Sequence, residues 1–570
     1  MIRPLSKFLP ALAVSAGLVA PAALACTSLL VTKGATSDGS TLITYAADSH
    51  ELYGELYYTP ARRNPPNAMR DIIEWDTGRF LGRIKEAPIT YNVVGNMNEH
   101  QLTISESTFT GRKELEGPAG IVDYGSLIYI ALERAKTARE AIQVMTDLVA
   151  EYGYASTGES FSIADPKEAW ILEMIGKGAG QKGAVWVARR LPDGYISAHA
   201  NQSRIQQFPL NDAENALYSK DVISFAREKG WFKGADKDFS FADTYHPFDF
   251  ESMRFAEARV WSIFRRAAPS AGLGADFVDG SVPGKRLPLW VKPDKKLAVQ
   301  DVMGLMRDHF EGTPLDMAKD VGAGPYAVPY RWRPMTWEVD GKKYLHERAI
   351  STQQTGFSFV AQMRSWMPSP VGGLLWFGVD DTFTTVYTPV YAGVRHAPKN
   401  VATGVANRGQ FSWDSSFWVF NWVSNQAYAR WSDMIVDVQK AQGELEGQFL
   451  ADQADIEKAA LELYKSSPEQ ARTYLTEYSA QQGDKVHGRW RKLGEQLLVK
   501  YMDGNVRDEM GKVNHPKYPE SWYRRIVQDT GSRLAIPAEP TLAAAKPEPK
   551  PAEVKPAAKP ESKPTVAPAP

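Results

Sequence analysis

The sequence predicts an α+β protein built on antiparallel sheets with a C-terminal helical extension, and three observations lead there. Before about residue 205, strand-like runs are joined by short turn-forming links, which return each strand antiparallel to the last. Within that region, residues 124 to 152 switch to a 3.6-residue apolar period. From about Asn425 to Tyr501 the chain becomes mainly helical, most clearly in "MIVDVQKAQGELEGQFLADQADIEKAALELYK".

Taken in order, the chain opens with the three parts of a secretory signal. Arg3 and Lys7 form a basic start, "FLPALAVSAGLVAPAALA" an apolar run, and Ala23-x-Ala25 a small-residue cleavage site. Residues 1–25 therefore read as a signal peptide, with export to the periplasm or medium and cleavage after Ala25. Pro10 and Pro21 interrupt the run, and the chain turns polar at Thr32-Lys33-Gly34, which argues against a membrane span. No later segment is long and apolar enough to cross a bilayer.

Next, "TSLLVTKGATSDGSTLITYAADS" reads as two strands joined at Ser-Asp-Gly. Thr137-x-x-Glu140 is a capping box opening a helix whose Ile142, Met145 and Val149 share one face, and Gly153 follows its end. "FSIADPKEAWILEMIG" and "AVWVARRLPDGYISAHANQ" repeat the strand–turn–strand layout around Asp165-Pro166 and Pro192-Asp193-Gly194. Sheet and helix must cover each other's apolar faces. Further on, "GGLLWFGVDDTFTTVYTPVYAGV" is again strand-like, and no fixed repeat suggests a solenoid. The globular body is assigned to residues 26–535, its helical extension to about 425–510. Residues 536–570, made of Pro, Ala, Lys and Glu, read as an extended tail.

Composition narrows the chemistry. With 43% hydrophobic residues, 16 Trp, 24 Tyr and 23 Phe in 570 residues, a large core is affordable without disulfides. A formal charge of -1 supplies no field for collecting nucleic acid. None of the nine histidines lies three or four residues from another, so no zinc-binding helix face exists, and no metal or cofactor is expected. Gly178-Ala179-Gly180-Gln181-Lys182-Gly183 fits G-x-G-x-x-G, but it leads from "AWILEMI" into a second strand and offers no helix N-terminus to a pyrophosphate. No G-x-S-x-G elbow is present.

Cys26, the sole cysteine, stands where the export cut should fall. Cleavage after Ala25 would give it a free α-amine, with an ordinary pKa of about 7.7–8.0, next to its own thiol. Such a residue can be nucleophile and general base at once and needs no histidine. Two other fates stay open: a lipid-modified anchor, although Ala23-Leu24 fits an ordinary cut better than a lipoprotein one, and a buried inert thiol.

Cys26-Thr27-Ser28 with "LLVTKGATSDGSTLITYAADS", then "VGNMNEHQLTISEST", "EAWILEMIG", "VWVARRLPDGYISAHANQSRI", "ARVW", "FVAQMR", "GGLLWFGVDD" and "TPVYAG", resembles the C69 family of dipeptidases. That family is related to the choloylglycine hydrolases and penicillin V acylases among the N-terminal nucleophile hydrolases. The resemblance covers nearly all of residues 26 to about 530. It implies a four-layer αββα sandwich of antiparallel sheets and amide hydrolysis through a thioester on Cys26. It also implies roles for Asp48, beside the nucleophile, for Asn201, holding the nucleophile's surroundings or the oxyanion, and for a downstream arginine, Arg259 in preference to Arg254. Tyr45 stands where the acylases have arginine. The expectation is an exported cysteine dipeptidase acting on short peptides. An N-acyl amide hydrolase of the same fold and a non-catalytic envelope lipoprotein are the alternatives.

Overall fold

The computed structural model describes residues 26–537 except 50, 116, 118 and 283. The predicted signal peptide, and the predicted tail beyond Pro537, lie outside the described residues. The described chain forms two units that divide between Lys517 and Tyr518. The second contains one helix, Glu520–Thr530, with no buried residue.

Ten strands form the body of the two main sheets in the first unit. They are β1 (Ser28–Val31), β2 (Thr41–Asp48), β3 (Thr103–Phe109), β4 (Gly158–Ala164), β5 (Ala169–Gly176), β6 (Ala184–Arg190), β7 (Ile196–His199), β8 (Thr355–Met363), β9 (Leu374–Val379) and β10 (Thr388–Tyr391). A seven-stranded sheet runs Trp290–Val291, β7, β1, β2, β8, β9, β10, and an eight-stranded sheet runs Ala216–Tyr218, β6, β5, β4, β3, Met97–Asn98, Val93–Val94, Tyr58–Thr59. Every neighbouring pair in both sheets is antiparallel.

The sheets lie face to face, β1 and β2 against β3 and β4. The two-residue period of the strands sorts the eight-stranded sheet into two cores. Phe161, Ile163, Trp170, Leu172 and Met174 pack outward on helices α1 (Tyr124–Arg134) and α2 (Ala138–Tyr152). Ile171, Ile175, Val185 and Val187 belong to the other, larger core. Against the outer face of the seven-stranded sheet lie α3 (Ala258–Ala267), α4 (Val299–Met306) and α5 (Ser416–Ala429). Helix, sheet, sheet and helix thus make the four layers that the resemblance implies.

Local signals placed several boundaries. Thr137 Oγ1 accepts from Glu140 N at 3.3 Å and Gly153 closes α2 at φ 78°. The reciprocal bond to the Glu140 carboxylate comes from Lys136 N (2.7 Å) rather than from Thr137 N. The periodic block 124–152 is two helices, broken at 135–137. The Gly178–Gly183 loop connects β5 to β6, whose pairing runs to Gly176 opposite Ala184, so it is a hairpin. The helical region opens at Ser416, earlier than the sequence suggested, because Ser415 Oγ caps α5 by accepting from Trp418 N. It continues through α6 (Trp431–Ser466) and α7 (Pro468–Tyr501), which Ser467 and the N1 proline separate.

Candidate active site

Strand register assembles the site. Ser28 pairs with His199 on one side of β1, while Leu30 pairs with Ile43 and Thr27 bridges Ala46 on the other. Continuing both registers to the start of the chain body sets Asn201 opposite Cys26 on one flank and Ala47, followed by Asp48, on the other. Residues separated by 22 and 175 positions become neighbours through sheet geometry alone.

Arg259, on α3, closes the arrangement. Its guanidinium is 1% exposed and meets five acceptors: Phe255 O (2.8 Å), Cys26 O (2.7 Å), Thr27 Oγ1 (2.8 Å), Ala200 O (3.1 Å) and Asn201 Oδ1 (2.7 Å). A guanidinium carries five N–H donors in a fixed fork, so this side chain ties the Cys26 end of β1 to the end of β7. Asn201 adopts a left-handed backbone at φ 61° and its Nδ2 donates to Thr108 O of the facing sheet at 2.7 Å. Arg254 lies elsewhere, paired with Glu347 and Val278 O.

Asp48 is fully buried. Its Oδ2 receives Arg348 Nη2 at 2.8 Å and its Oδ1 receives Thr355 Oγ1 at 2.6 Å. Burial raises its carboxyl above the usual aspartate range, against the pull of Arg348 and Thr355. The backbone N–H of Asp48 points at the Cys26 sulfur. Thus Asp48 approaches the Cys26 thiol through its main chain while its carboxylate holds Arg348.

The thiol itself faces the second sheet. Cys26 Sγ lies 3.3 Å from Glu106 Oε1 and 3.6 Å from the Tyr45 hydroxyl, which also donates to Glu106 Oε1. Tyr45 thus occupies the ground beside the sulfur as a phenol. Across the β3–β4 ladder Glu159 accepts from Thr108 Oγ1 at 2.8 Å, and its carboxyl lies near enough to Glu106 for each to act on the other electrostatically. Glu159 is pushed well above the glutamate range, first by burial and then by Glu106. Burial raises the Glu106 carboxyl as well, and its Oε1 accepts from both the Tyr45 hydroxyl and the Cys26 thiol. The Cys26 thiol in turn is pushed well above its ordinary value, first by burial and then by Glu106 and Asp48.

His199, the last residue of β7 and two positions before Asn201, is the histidine nearest in register. Ser107 Oγ and Ser162 Oγ occupy its two ring nitrogens (2.6 and 2.7 Å), and burial pushes its pKa down to about 3. It is a neutral tie between the sheets. Among the described residues no group of three or more His, Cys, Asp or Glu is placed to hold a metal ion, and no helix is long and apolar enough to cross a membrane.

Sequence reasoning missed Glu106, Glu159, Arg348 and Thr355. Glu106 sits within the "TISEST" stretch used for the resemblance, and an acidic residue in an otherwise strand-like, buried run was the available signal. Arg348 and Thr355 approach from some 300 positions away and left none.

The family model described as Peptidase family C69 matches residues 25–444. Among curated proteins, a "Probable dipeptidase" of Salmonella dublin is 26% identical over 65% of this chain and 82% of its own length. A "Probable dipeptidase B" of Streptococcus pyogenes serotype M1 is 22% identical over 85% of this chain and 94% of its own. A "Dipeptidase" of Bifidobacterium longum is 24% identical over 66% and 72%.

Proposed function

The chain belongs to peptidase family C69, and we propose that it is an exported dipeptidase whose nucleophile is Cys26, made N-terminal by cleavage after Ala25. The α-amine of Cys26 takes the thiol proton, directly or through a water, as sulfur attacks the carbonyl carbon of the scissile bond. The resulting ammonium returns the proton to the leaving amine as the C–N bond breaks, leaving a thioester. Water, deprotonated by the same amine, attacks that thioester, and the thiol is restored as the acid product leaves.

The observation that carries this reading is the seat of Cys26. Arg259 holds its carbonyl, the Asp48 N–H faces its sulfur and Asn201 lies opposite. A thiol kept protonated at rest needs a base at the moment of attack, and His199 has both nitrogens engaged. The terminal amine answers that need. Arg259 and Asn201 act as positioning residues, since their printed bonds go to protein atoms.

The test is N-terminal sequencing of the exported protein followed by a dipeptide panel. The expected mature chain starts at Cys26, Cys26→Ala abolishes turnover and Cys26→Ser retains a trace, because a hydroxyl is the poorer nucleophile. An active mature chain that still begins before Cys26, or an active Cys26→Ala variant, excludes the mechanism. Faster turnover of N-acyl amino acids than of dipeptides would move the activity to amide hydrolysis, and a diacylglyceryl group on Cys26 would make the protein a lipoprotein.

A further inference from the structure

Glu106 is 1% exposed, and among the described residues neither it nor Glu159 has an ion-pair partner. Glu106 Oε2 and Glu159 Oε2 are both buried without a hydrogen-bond partner. A buried carboxylate without a cation is costly, so this end of the site is incomplete as it stands. The Cys26 amine does not complete it, because that amine must be neutral to act as the base.

Aromatic rings line the ground beside Glu106. From Tyr45 at the sulfur a wall of rings runs outward: Tyr45 to Phe357 (centroids 5.6 Å), Phe357 to Tyr57 (6.4 Å), Tyr57 to Trp75 (4.9 Å) and to Tyr129 (5.7 Å), with Trp75 stacked on Tyr129 at 4.8 Å. Tyr57, Trp75 and Tyr129 are partly exposed. Asp76, exposed at this edge, accepts from the Tyr124 hydroxyl at 2.8 Å. Aromatic faces and carboxylates together are what a desolvated ammonium prefers.

The geometry of hydrolysis puts an ammonium in reach. In a peptide with a free N-terminus, the amino nitrogen is two bonds from the carbonyl carbon that sulfur attacks, hence about 3 Å from the sulfur on ordinary bond lengths. A group that recognises it must therefore touch the nucleophile, and Glu106 Oε1 lies 3.3 Å from Cys26 Sγ. We infer that Glu106 seats the substrate's free α-ammonium, making it the residue of the facing sheet that reads the amino group. This rests on Cys26 being the nucleophile. A cation bound there also offsets the carboxylate that opposes thiol ionisation, so the correct substrate eases the proton transfer.

The experiment compares kcat/KM of the mature enzyme on three compounds: alanyl-phenylalanine, its N-acetyl derivative, and propionyl-phenylalanine, which lacks only the amino group. A site built around that amino group favours alanyl-phenylalanine by at least about 10³-fold. Glu106→Gln is expected to shrink that preference at least about 30-fold, by losing far more activity on the dipeptide than on the propionyl compound. Glu106→Asp, which keeps the carboxylate, should retain most of the preference that Glu106→Gln loses. Equal losses on both substrates in Glu106→Gln, or a wild-type enzyme indifferent to the amino group, overturn the inference. If Glu106→Gln does not fold, the wild-type preference and Glu106→Asp decide: a folded Glu106→Asp enzyme indifferent to the amino group overturns the inference. An active Cys26→Ala variant would instead bring down the nucleophile reading beneath it.

Discussion

Replacing Arg259 by lysine isolates what the guanidinium does. Charge is retained, but three donors replace five and the planar fork is lost. At least two of Phe255 O, Cys26 O, Thr27 Oγ1, Ala200 O and Asn201 Oδ1 then lack their partner. At 1% exposure no water substitutes readily. Hydrogen bonds to charged groups contribute about 1.5–3 kcal/mol each, so two losses destabilise by about 3–6 kcal/mol. That is a large part of a typical folding free energy of about 5–15 kcal/mol. Because the lost bonds bind the Cys26 carbonyl and Asn201, kcat should fall while KM changes little, through misplacement of the sulfur. Denaturant unfolding and dipeptide kinetics of Arg259→Lys beside the parent measure both. A variant within about 0.5 kcal/mol of the parent, the range of an inconsequential surface substitution, and with unchanged kcat, would refute the assignment of Arg259 as the tie between β1 and β7.

Glu159→Gln should change how stability depends on pH. The native Glu159 holds its proton above the range where an unfolded glutamate, near about pH 4.3, loses it, so the native state binds more protons and wild-type stability falls as pH rises, by up to about 1.4 kcal/mol per unit. The amide does not titrate, so the variant should gain on the parent as pH rises above the range where the unfolded glutamate ionises; a difference flat with pH contradicts this. Arg348→Met removes the cation facing buried Asp48 and should cost about 3–5 kcal/mol, with a greater loss at pH 8 than at pH 5, since Asp48 then escapes only by protonation. Equal melting shifts at the two pH values would oppose that account. In α7, a Cβ on Gly494 would sit 2.2 Å from the Trp422 ring of α5, so Gly494→Ala should destabilise by about 1–3 kcal/mol, measured as a lowered unfolding midpoint.

Much of the scaffold was written locally. The Thr137 cap, the Gly153 stop, the Asp165-Pro166 and Pro192-Asp193-Gly194 turns and the alternation through β4 to β6 depend on neighbours within a few residues, and a single stretch of sequence displays them. Asp48, Asn201 and Arg259 came from resemblance to a family rather than from any local pattern, and their convergence on Cys26 follows from register and from the approach of α3. Choosing Arg259 over Arg254 needed the helix in place: five positions separate two arginines that differ wholly in partners.

What the sequence determined alone was a large disulfide-free core, antiparallel hairpins and a sole cysteine, expected to follow an export cut. The electrostatics around that cysteine belong to the tertiary structure. Glu106 comes from 80 positions away on the facing sheet, Arg348 reaches Asp48 across 300, and Glu159 keeps its proton because both sheets exclude water. Periodicity and caps are short-range properties of a chain, whereas the energy of a buried charge depends on everything packed around it.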